Sequence, residues 1–395
     1  MRAVAVIGAG YGDEGKGAAT DRLAAQPGPR ALVVRHNGGA QAGHTVVAPD
    51  GRRHVFGHVG SGSFAGVPTY LSAYFVANPI LCLRELAALE RLGVRPTLYV
   101  DAACPVTTPY DMRLNQAVEA ARGAGRHGSC GVGFGETLER HGHAGYALTV
   151  ADLADRRRLA DRLQAIRSDW LAQRLAALGL SGLPPLAGED ALLARFVDDC
   201  VRFRRVVEVC DAGVLRGRSL IFEGAQGLGL DMDRGAFPHV TRSHTGIRNA
   251  VALTRAAGLD ALQVQYVTRA YATRHGAGPL AHELPTPPAA AVRDATNRPN
   301  DWQGRLRFGW LDLNRLATDI RADLAEAGAL AVTAELIVTC LDQMDEGVAH
   351  VADGGLVQVP RERCLAWYAQ RLGLRAGYGA YGPGRDAVRE RARAA

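Results

Sequence analysis

The stretch AVAVIGAGYGDEGKGAATDRLA, from Ala3 to Ala24, decides the fold. Ala3 to Ile7 is an apolar run too short for a helix and stopped by glycine, which predicts a buried strand. From Ala18 to Ala25 the composition turns helical. Between them Gly10, four residues, Gly15 and Lys16 have the spacing of a phosphate-cradling loop, in which peptide N–H groups and a helix N-terminus face an anion. Next, ALVVRHN (Ala31 to Asn37) predicts a second strand running into a glycine loop. Strand, loop, helix, strand in that order implies an α/β protein with a large, mainly parallel sheet flanked by helices. Further strands are expected at Pro96–Ala103, Ser219–Gly224, Ala261–Tyr271 and Glu335–Asp342. Several end in glycine or polar residues, and ligands of open α/β sheets bind at those carboxyl ends.

Around this frame the 395 residues read as one unit, with a mostly helical covering layer at about 150–213 and a short final part at about 335–395. The proline-rich Leu284–Asp294 is expected to be a loop, and Arg385–Ala395 a frayed helix. Hydrophobic residues make up 47% and charged residues 22%, a composition that excludes a disordered chain. The net charge of +6 comes from arginines spread along the chain, without the basic, aromatic-interleaved patch of a nucleic-acid binder. Seven cysteines with no CxxC pair support neither a disulfide framework nor a zinc knuckle. No apolar stretch reaches the ~18 residues of a membrane span. The expectation is a cytoplasmic protein with no membrane or nucleic-acid partner.

The glycine loop departs from an ordinary phosphate loop in an informative way. The residue after Lys16 is Gly17, where a Ser or Thr hydroxyl would normally bind magnesium. Asp13 and Glu14 stand inside the loop instead. Carboxylates beside phosphates repel unless a cation bridges them or one of them does proton chemistry. The loop therefore calls for a metal ion and a base as well as a grip.

At this point a resemblance can be stated. GDEGKG, followed by RHNGGAQAGHTVV (Arg35–Val47), FEGAQGLGLDMDRGAFPHVTRSHT (Phe222–Thr245), RAYATRHGAGPLAHEL (Arg269–Leu284), GRLRFGWLD (Gly304–Asp312), VTCLDQMDEG (Val338–Gly347) and YGPGRD (Tyr381–Asp386), resembles the ordered motifs of adenylosuccinate synthetases. The resemblance implies that family's P-loop-like fold as a single domain, with nucleotide base binding in the shortened 335–395 part. It also implies a ligase in purine biosynthesis: GTP phosphorylates the 6-oxo group of a purine nucleotide such as IMP, and the amine of aspartate displaces the phosphate. Magnesium and a homodimer are implied with it.

By the same resemblance Asp13 takes the purine N1 proton and binds magnesium together with the Gly43 carbonyl. His44 supports the charge developing between O6 and the γ-phosphate, and Lys16 contacts phosphate. Gly12, Glu14, Gly15, Gly17, Gly43 and Thr45 complete the GTP phosphate site, with Asp342, Gly382 and Pro383 at its base. Gln41, Ser129, Cys130, Gln226 and Thr241 hold the acceptor nucleotide, Gln226 also serving catalysis. Arg305, Arg307 and Trp302 bind the amino acid. Alone, His44 would pass for a loop histidine and the arginines for surface charge; it is their place in the motifs that selects them.

Departures concentrate in the substrate pockets. The family's GTTGRGIGP is GSCGVGFGE here (Gly128–Glu136), so Cys130 replaces a threonine and Val132 an arginine. ERHGHAGY (Glu139–Tyr146) displaces the arginine that reaches the neighbouring subunit's site. Trp302 replaces a small hydroxyl residue, and Cys340 replaces the lysine beside the base-reading Asp342. Alternatives are therefore a divergent paralogue using a modified purine nucleotide or nucleoside, another amino acid or ATP, and, more remotely, a GTP-binding regulator without ligase activity.

Overall fold

The computed structural model describes residues 1–26, 28, 30–294, 297 and 304–390. Strands β1 (Ala3–Gly8), β2 (Ala31–Arg35), β3 (His44–Val47), β4 (Arg53–Phe56), β5 (Thr69–Leu71), β6 (Leu98–Asp101) and β7 (Glu208–Cys210) come first. Then follow β8 (Ser219–Gly227), β9 (Ala261–Arg269), β10 (Ala272–Arg274), β11 (Glu283–Leu284), β12 (Arg307–Gly309) and β13 (Leu311–Asp312). The chain closes with β14 (Ala331–Thr339), β15 (Gly347–Ala352), β16 (Gly355–Pro360), β17 (Arg375–Ala380) and β18 (Val388–Glu390). The helices that matter for the site are α1 (Lys16–Ala24), α2 (Pro79–Arg91), α3 (Pro109–Arg122) and α4 (Phe134–His141).

Ten strands form one sheet in the order β18-β17-β14-β9-β1-β8-β2-β5-β6-β7. Every neighbouring pair is parallel except β17 with β18. Parallel strands are covered on both faces, so they read as unbroken apolar runs. Alternate side chains go to opposite faces: Ala3, Ala5 and Ile7 enter the larger core, while Val4 and Val6 pack with Ala19 and Leu23 of α1. The carboxyl ends of the parallel strands therefore meet along one edge of the sheet. Chain direction diverges around β1, whose neighbours β8 and β9 come from much later in the sequence. A crevice at such a switch point is where this architecture binds ligands.

Between Ala151 and Val206 the elements are helical. Residues 285–294 form no regular element. The expected C-terminal helix is corrected. Val388–Glu390 instead adds an antiparallel strand to β17, pairing Tyr378 with Glu390 and Ala380 with Val388. An open sheet edge offers unpaired N–H and C=O groups, and that demand outweighs the helical composition. Arg389 lies over the Tyr381 ring at 4.3 Å, and Arg22 of α1 holds Glu390 at 2.6 Å.

Candidate active site

The phosphate loop leaves β1 at Gly8 and enters α1 at Lys16. Gly15 caps the helix with φ 94°, and Gly12 turns at φ 116°, conformations that L side chains rarely adopt. The loop settles its own charges. Glu14 folds inward and accepts the Gly12 N–H at 2.7 Å, while the Lys16 ammonium donates to the Gly12 carbonyl at 2.6 Å and lies 3.3 Å from Glu14. Thr339, the last residue of β14, donates its hydroxyl to the Glu14 carbonyl at 2.8 Å. Asp13 alone turns its carboxylate to the cleft, 3.5 Å from His275 Nε2, and its carbonyl accepts from Arg269.

Gly17 has a steric explanation. A Cβ there would lie 2.9 Å from His44 Cβ and 3.1 Å from the Thr45 oxygen. The first turn of α1 is packed against the start of β3, and a serine at this position would push His44 away.

His44 Nδ1 sits 2.6 Å from the carboxylate of Glu223, a β8 residue, with both side chains buried. Glu223 also accepts the Ser61 N–H at 3.0 Å and the Ser61 hydroxyl. Burial alone would push the Glu223 carboxyl up, but His44, Arg35 and Ser61 outweigh it and hold it down to about 2. Burial lowers the pKa of His44, which therefore keeps its Nδ1 proton on Glu223 and presents Nε2. Arg35, wholly buried, donates to the Gly57 carbonyl at 2.7 Å. Glu85 of α2 fixes the same turn, accepting the N–H groups of Gly57 and His58 at 2.8 and 2.7 Å.

These groups open on a cleft of about 490 Å³, a volume suited to a nucleotide-sized ligand. Gly12, Asp13, Gln41, Gly43, His44, Ser129, Cys130, Gln226 and Thr241 all line it, so the structure brings together on one cleft every acceptor residue singled out in the sequence, with Asp13 and His44. Gln226 stands at the end of β8 with φ 57°, a strained conformation for a residue with a side chain. Its Oε1 and both amide atoms of Gln41 are buried without a protein partner. Such orphaned groups on a cleft wall are free to bond a polar ligand. The loop of residues 128–133 is wound onto α3: Asn115 donates to Ser129 at 2.7 Å, Gln116 to the Gly131 carbonyl at 3.0 Å, and Glu119 accepts from Gly128 at 2.9 Å. Burial pushes the Cys130 thiol up to about 11, so it faces the cleft neutral, with Val132 beside it.

Other residues lie elsewhere. Thr45 follows His44 in β3. Asp342, exposed, follows β14, and Gly382 and Pro383 follow β17, at the same edge of the sheet. That last loop is tied to α1 by Arg385, 2.8 Å from Asp21. Arg305 is exposed. Arg307 spends its donors within the protein, on Glu283 at 2.7 Å and on the carbonyls of Gly276 and Gly278 at 3.0 and 2.8 Å. Trp302 lies outside the described residues. Arg140 is a buried structural residue, bonded to Asp111 at 2.9 and 2.8 Å and to the carbonyls of Tyr146 and Val106. Sequence reasoning passed over Glu223, Arg35, His275 and Thr339 as functional residues. Glu223 had a signal: an acid inside an otherwise apolar strand, next to the glycines that end it.

The described cysteines form no disulfide, and no helix among the described residues is long and apolar enough to cross a membrane. The model of a family described as adenylosuccinate synthetase matches residues 5–367. Relatives include the adenylosuccinate synthetase of Synechococcus sp. (strain RCC307), 34% identical over 373 residues, covering 90% of this chain and 80% of the relative. The Burkholderia mallei (strain SAVP1) protein of the same name is 33% identical over 381 residues, covering 89% and 80%. Among solved structures, fully ligated adenylosuccinate synthetase from Plasmodium falciparum superposes with a TM-score of 0.77 at 17% identity, covering 99% of this chain and 100% of that one. Cyanophage S-2L succinoaminodeoxyadenylate synthetase, bound to dGMP and to dATP as an energy donor, gives 0.62 at 19%, covering 98% and 95%. At those identities the two structures bear on the fold alone.

Proposed function

Because this chain belongs to the adenylosuccinate synthetase family, and is accordingly a ligase joining aspartate to a purine nucleotide, we propose that it works in two steps driven by GTP. Asp13 removes the N1 proton of the purine, which moves charge onto O6 and makes that oxygen a nucleophile. O6 takes the γ-phosphoryl group of GTP. His44, oriented through Nδ1 by Glu223, presents Nε2 to the charge building between O6 and phosphorus. Lys16 turns from the Gly12 carbonyl to phosphate, joined by the backbone groups of Gly12, Glu14, Gly15, Gly17 and Thr45. The amine of aspartate then attacks C6 and phosphate departs.

Arg305 and Trp302 take the amino acid, Arg305 through its carboxylates, and Arg307 serves the same subsite by bracing the Gly276–Gly278 turn. Gln41, Ser129, Cys130, Gln226 and Thr241 hold the acceptor, and Asp342, Gly382 and Pro383 meet the guanine. Asp13 and Gly43 both line the cleft, and a carboxylate and a backbone carbonyl are hard oxygen donors of the type Mg2+ takes. They would hold that ion, which offsets phosphate charge when bound. The protein acts as a homodimer in the cytoplasm.

The observation carrying this is the buried His44–Glu223 pair opening on the same cleft as Asp13. The test is Asp13→Ala, assayed with GTP, IMP and aspartate in protein shown to fold and to bind GTP. Product formation at the parental rate would end the reading.

A second reading keeps the chemistry and changes the substrates, with a modified purine, another amino acid or ATP. It is favoured by the neutral Cys130 and apolar Val132 in the acceptor wall, and by Cys340 at φ 60° beside Asp342. Turnover of a panel of purine acceptors, amino acids and triphosphates separates the two; ordinary rates with IMP, aspartate and GTP would remove this second reading.

A further inference from the structure

Three arginines are among the described residues lining the acceptor cleft: Arg122, Arg242 and Arg274. They differ in what each would leave behind by turning to a ligand. Arg274 is buried, stacked at 4.4 Å over Tyr11, and donates to the carbonyls of Pro279 and His239, both at 2.8 Å. Moving it would open two loops. Arg122 holds Glu119, whose side chain is only 1% exposed. Without that guanidinium a buried carboxylate would keep little more than the Gly128 N–H, a costly loss.

Arg242 is different. Its side chain is 47% exposed and its partner is Glu139 of α4. Glu139 has a second guanidinium at hand, Arg174 at 3.6 Å. Arg174 is itself fixed by a two-pronged pair with Glu136, at 2.8 and 3.0 Å. Glu139 therefore keeps a counter-charge when Arg242 leaves. The backbone beneath Arg242 stays put, because Thr241 N–H bonds the Leu230 carbonyl at 2.9 Å, Met232 N–H bonds the Ser243 carbonyl at 3.2 Å, and Asp231 accepts the Thr245 N–H at 2.8 Å. An exposed guanidinium whose partner has a second counter-charge, on a loop held by its own backbone bonds and next to Thr241, suits an incoming dianion.

We propose that Arg242 is the anion-binding residue for the acceptor: its guanidinium passes from Glu139 to the phosphate of the purine nucleotide, supplying within one chain the positive charge that fixes that substrate. The proposal rests on the ligase reading above and adds the residue that selects a phosphorylated acceptor over the bare nucleoside. Loss of one charge-assisted contact of this kind weakens binding ~10-fold or more.

The experiment compares wild type with Arg242→Ala, using IMP and inosine as paired acceptors. The expected result is a rise of ~10-fold or more in KM for IMP, with kcat and the KM for GTP nearly unchanged, and no change with inosine. Glu139→Gln should tighten IMP, since it releases the competitor. Equal effects of Arg242→Ala on IMP and inosine, or none on either, would overturn the proposal. Calorimetric binding of IMP to the same proteins, without turnover, gives an independent answer. If wild type binds IMP and Arg242→Ala weakens that binding while no variant turns over, the ligase reading fails and the anion site stands. If Arg242→Ala binds IMP as well as wild type does, the anion site fails whatever the turnover.

Discussion

His44 Nδ1 on β3 and the Glu223 carboxylate on β8 meet at 2.6 Å in a place closed to solvent, and Glu223 is matched in turn by the charge of Arg35. The ring is thereby held with one nitrogen committed and the other facing the cleft. Glu223→Gln keeps the shape but removes the charge and lets the ring choose the wrong tautomer. Turnover should fall by ~10²-fold or more, in the range of a misdirected acid–base group, with KM for GTP little altered. Melting should show a loss of about 3 kcal/mol, because Arg35 loses the larger of its two counter-charges and keeps only Glu85. Parental turnover in a stable variant would disprove the orienting role.

Restoring a conventional phosphate-loop residue at position 17 should damage the protein. Gly17→Ser would set a Cβ 2.9 Å from His44 Cβ, closer than packed side chains come. Overpacking of this size costs about 1–3 kcal/mol. A lower melting temperature and a reduced kcat are expected; an unaltered or faster enzyme would show that β3 yields freely.

Thr339→Val removes the hydroxyl bonded to the Glu14 carbonyl at 2.8 Å and leaves the shape of the side chain. About 1 kcal/mol should be lost. Since the bond braces the phosphate loop, KM for GTP should rise while KM for the acceptor holds. Kinetics in which the acceptor alone suffers would contradict this.

Two carboxylates make opposite contributions to stability with pH. For Glu85 burial would raise the pKa, but the His54 and His58 rings and the Gly57 N–H outweigh it and hold the carboxyl down to about 2, from an ordinary 4.5. A depressed acid stabilises the fold above 4.5, and that contribution disappears as pH falls toward 2. Asp21 is pushed up to about 6, from 3.8, by burial that Arg385 only partly offsets. Its contribution is present below 3.8 and is lost as pH rises through 6. Denaturant titrations across this range should show Glu85→Gln flattening the acid limb and Asp21→Asn flattening the slope between 4 and 6. Curves parallel to wild type would refute both assignments.

Much of this was legible beforehand, for physical reasons. Val4, Val6 and Ile7 are buried on both faces of the sheet, so the strand announces itself as an apolar run. Asp13 sits in a glycine-rich loop and His44 directly follows one, where a charged or titratable side chain stands out. The partner of His44 was hidden because it lies 179 residues away, and a strand carboxylate looks alike whether it faces water or an imidazole. Val388–Glu390 resembled a helix because its composition is helical, while the edge of β17 that captures it is a tertiary fact. The arginine within Glu139–Tyr146, Arg140, has a structural use that its sequence does not show, because its two bonds to Asp111 exist only once α3 and α4 are packed together.

The Thr339–Glu14 bond has a consequence for how nucleotide choice could change over time. β14 stands two places from β1 in the sheet, with β9 between them. Neighbouring strands keep a spacing of about 4.8 Å, so the ends of β1 and β14, where the glycine loop and the Asp342 segment begin, are set roughly 10 Å apart by the backbone alone. The sheet is a fixed gauge, and side chains at either end can be exchanged without recalibrating it. On the function proposed above, a swap of one purine triphosphate for another is a matter of the few residues after Thr339, and a lineage can explore it without dismantling the machinery at the other mark.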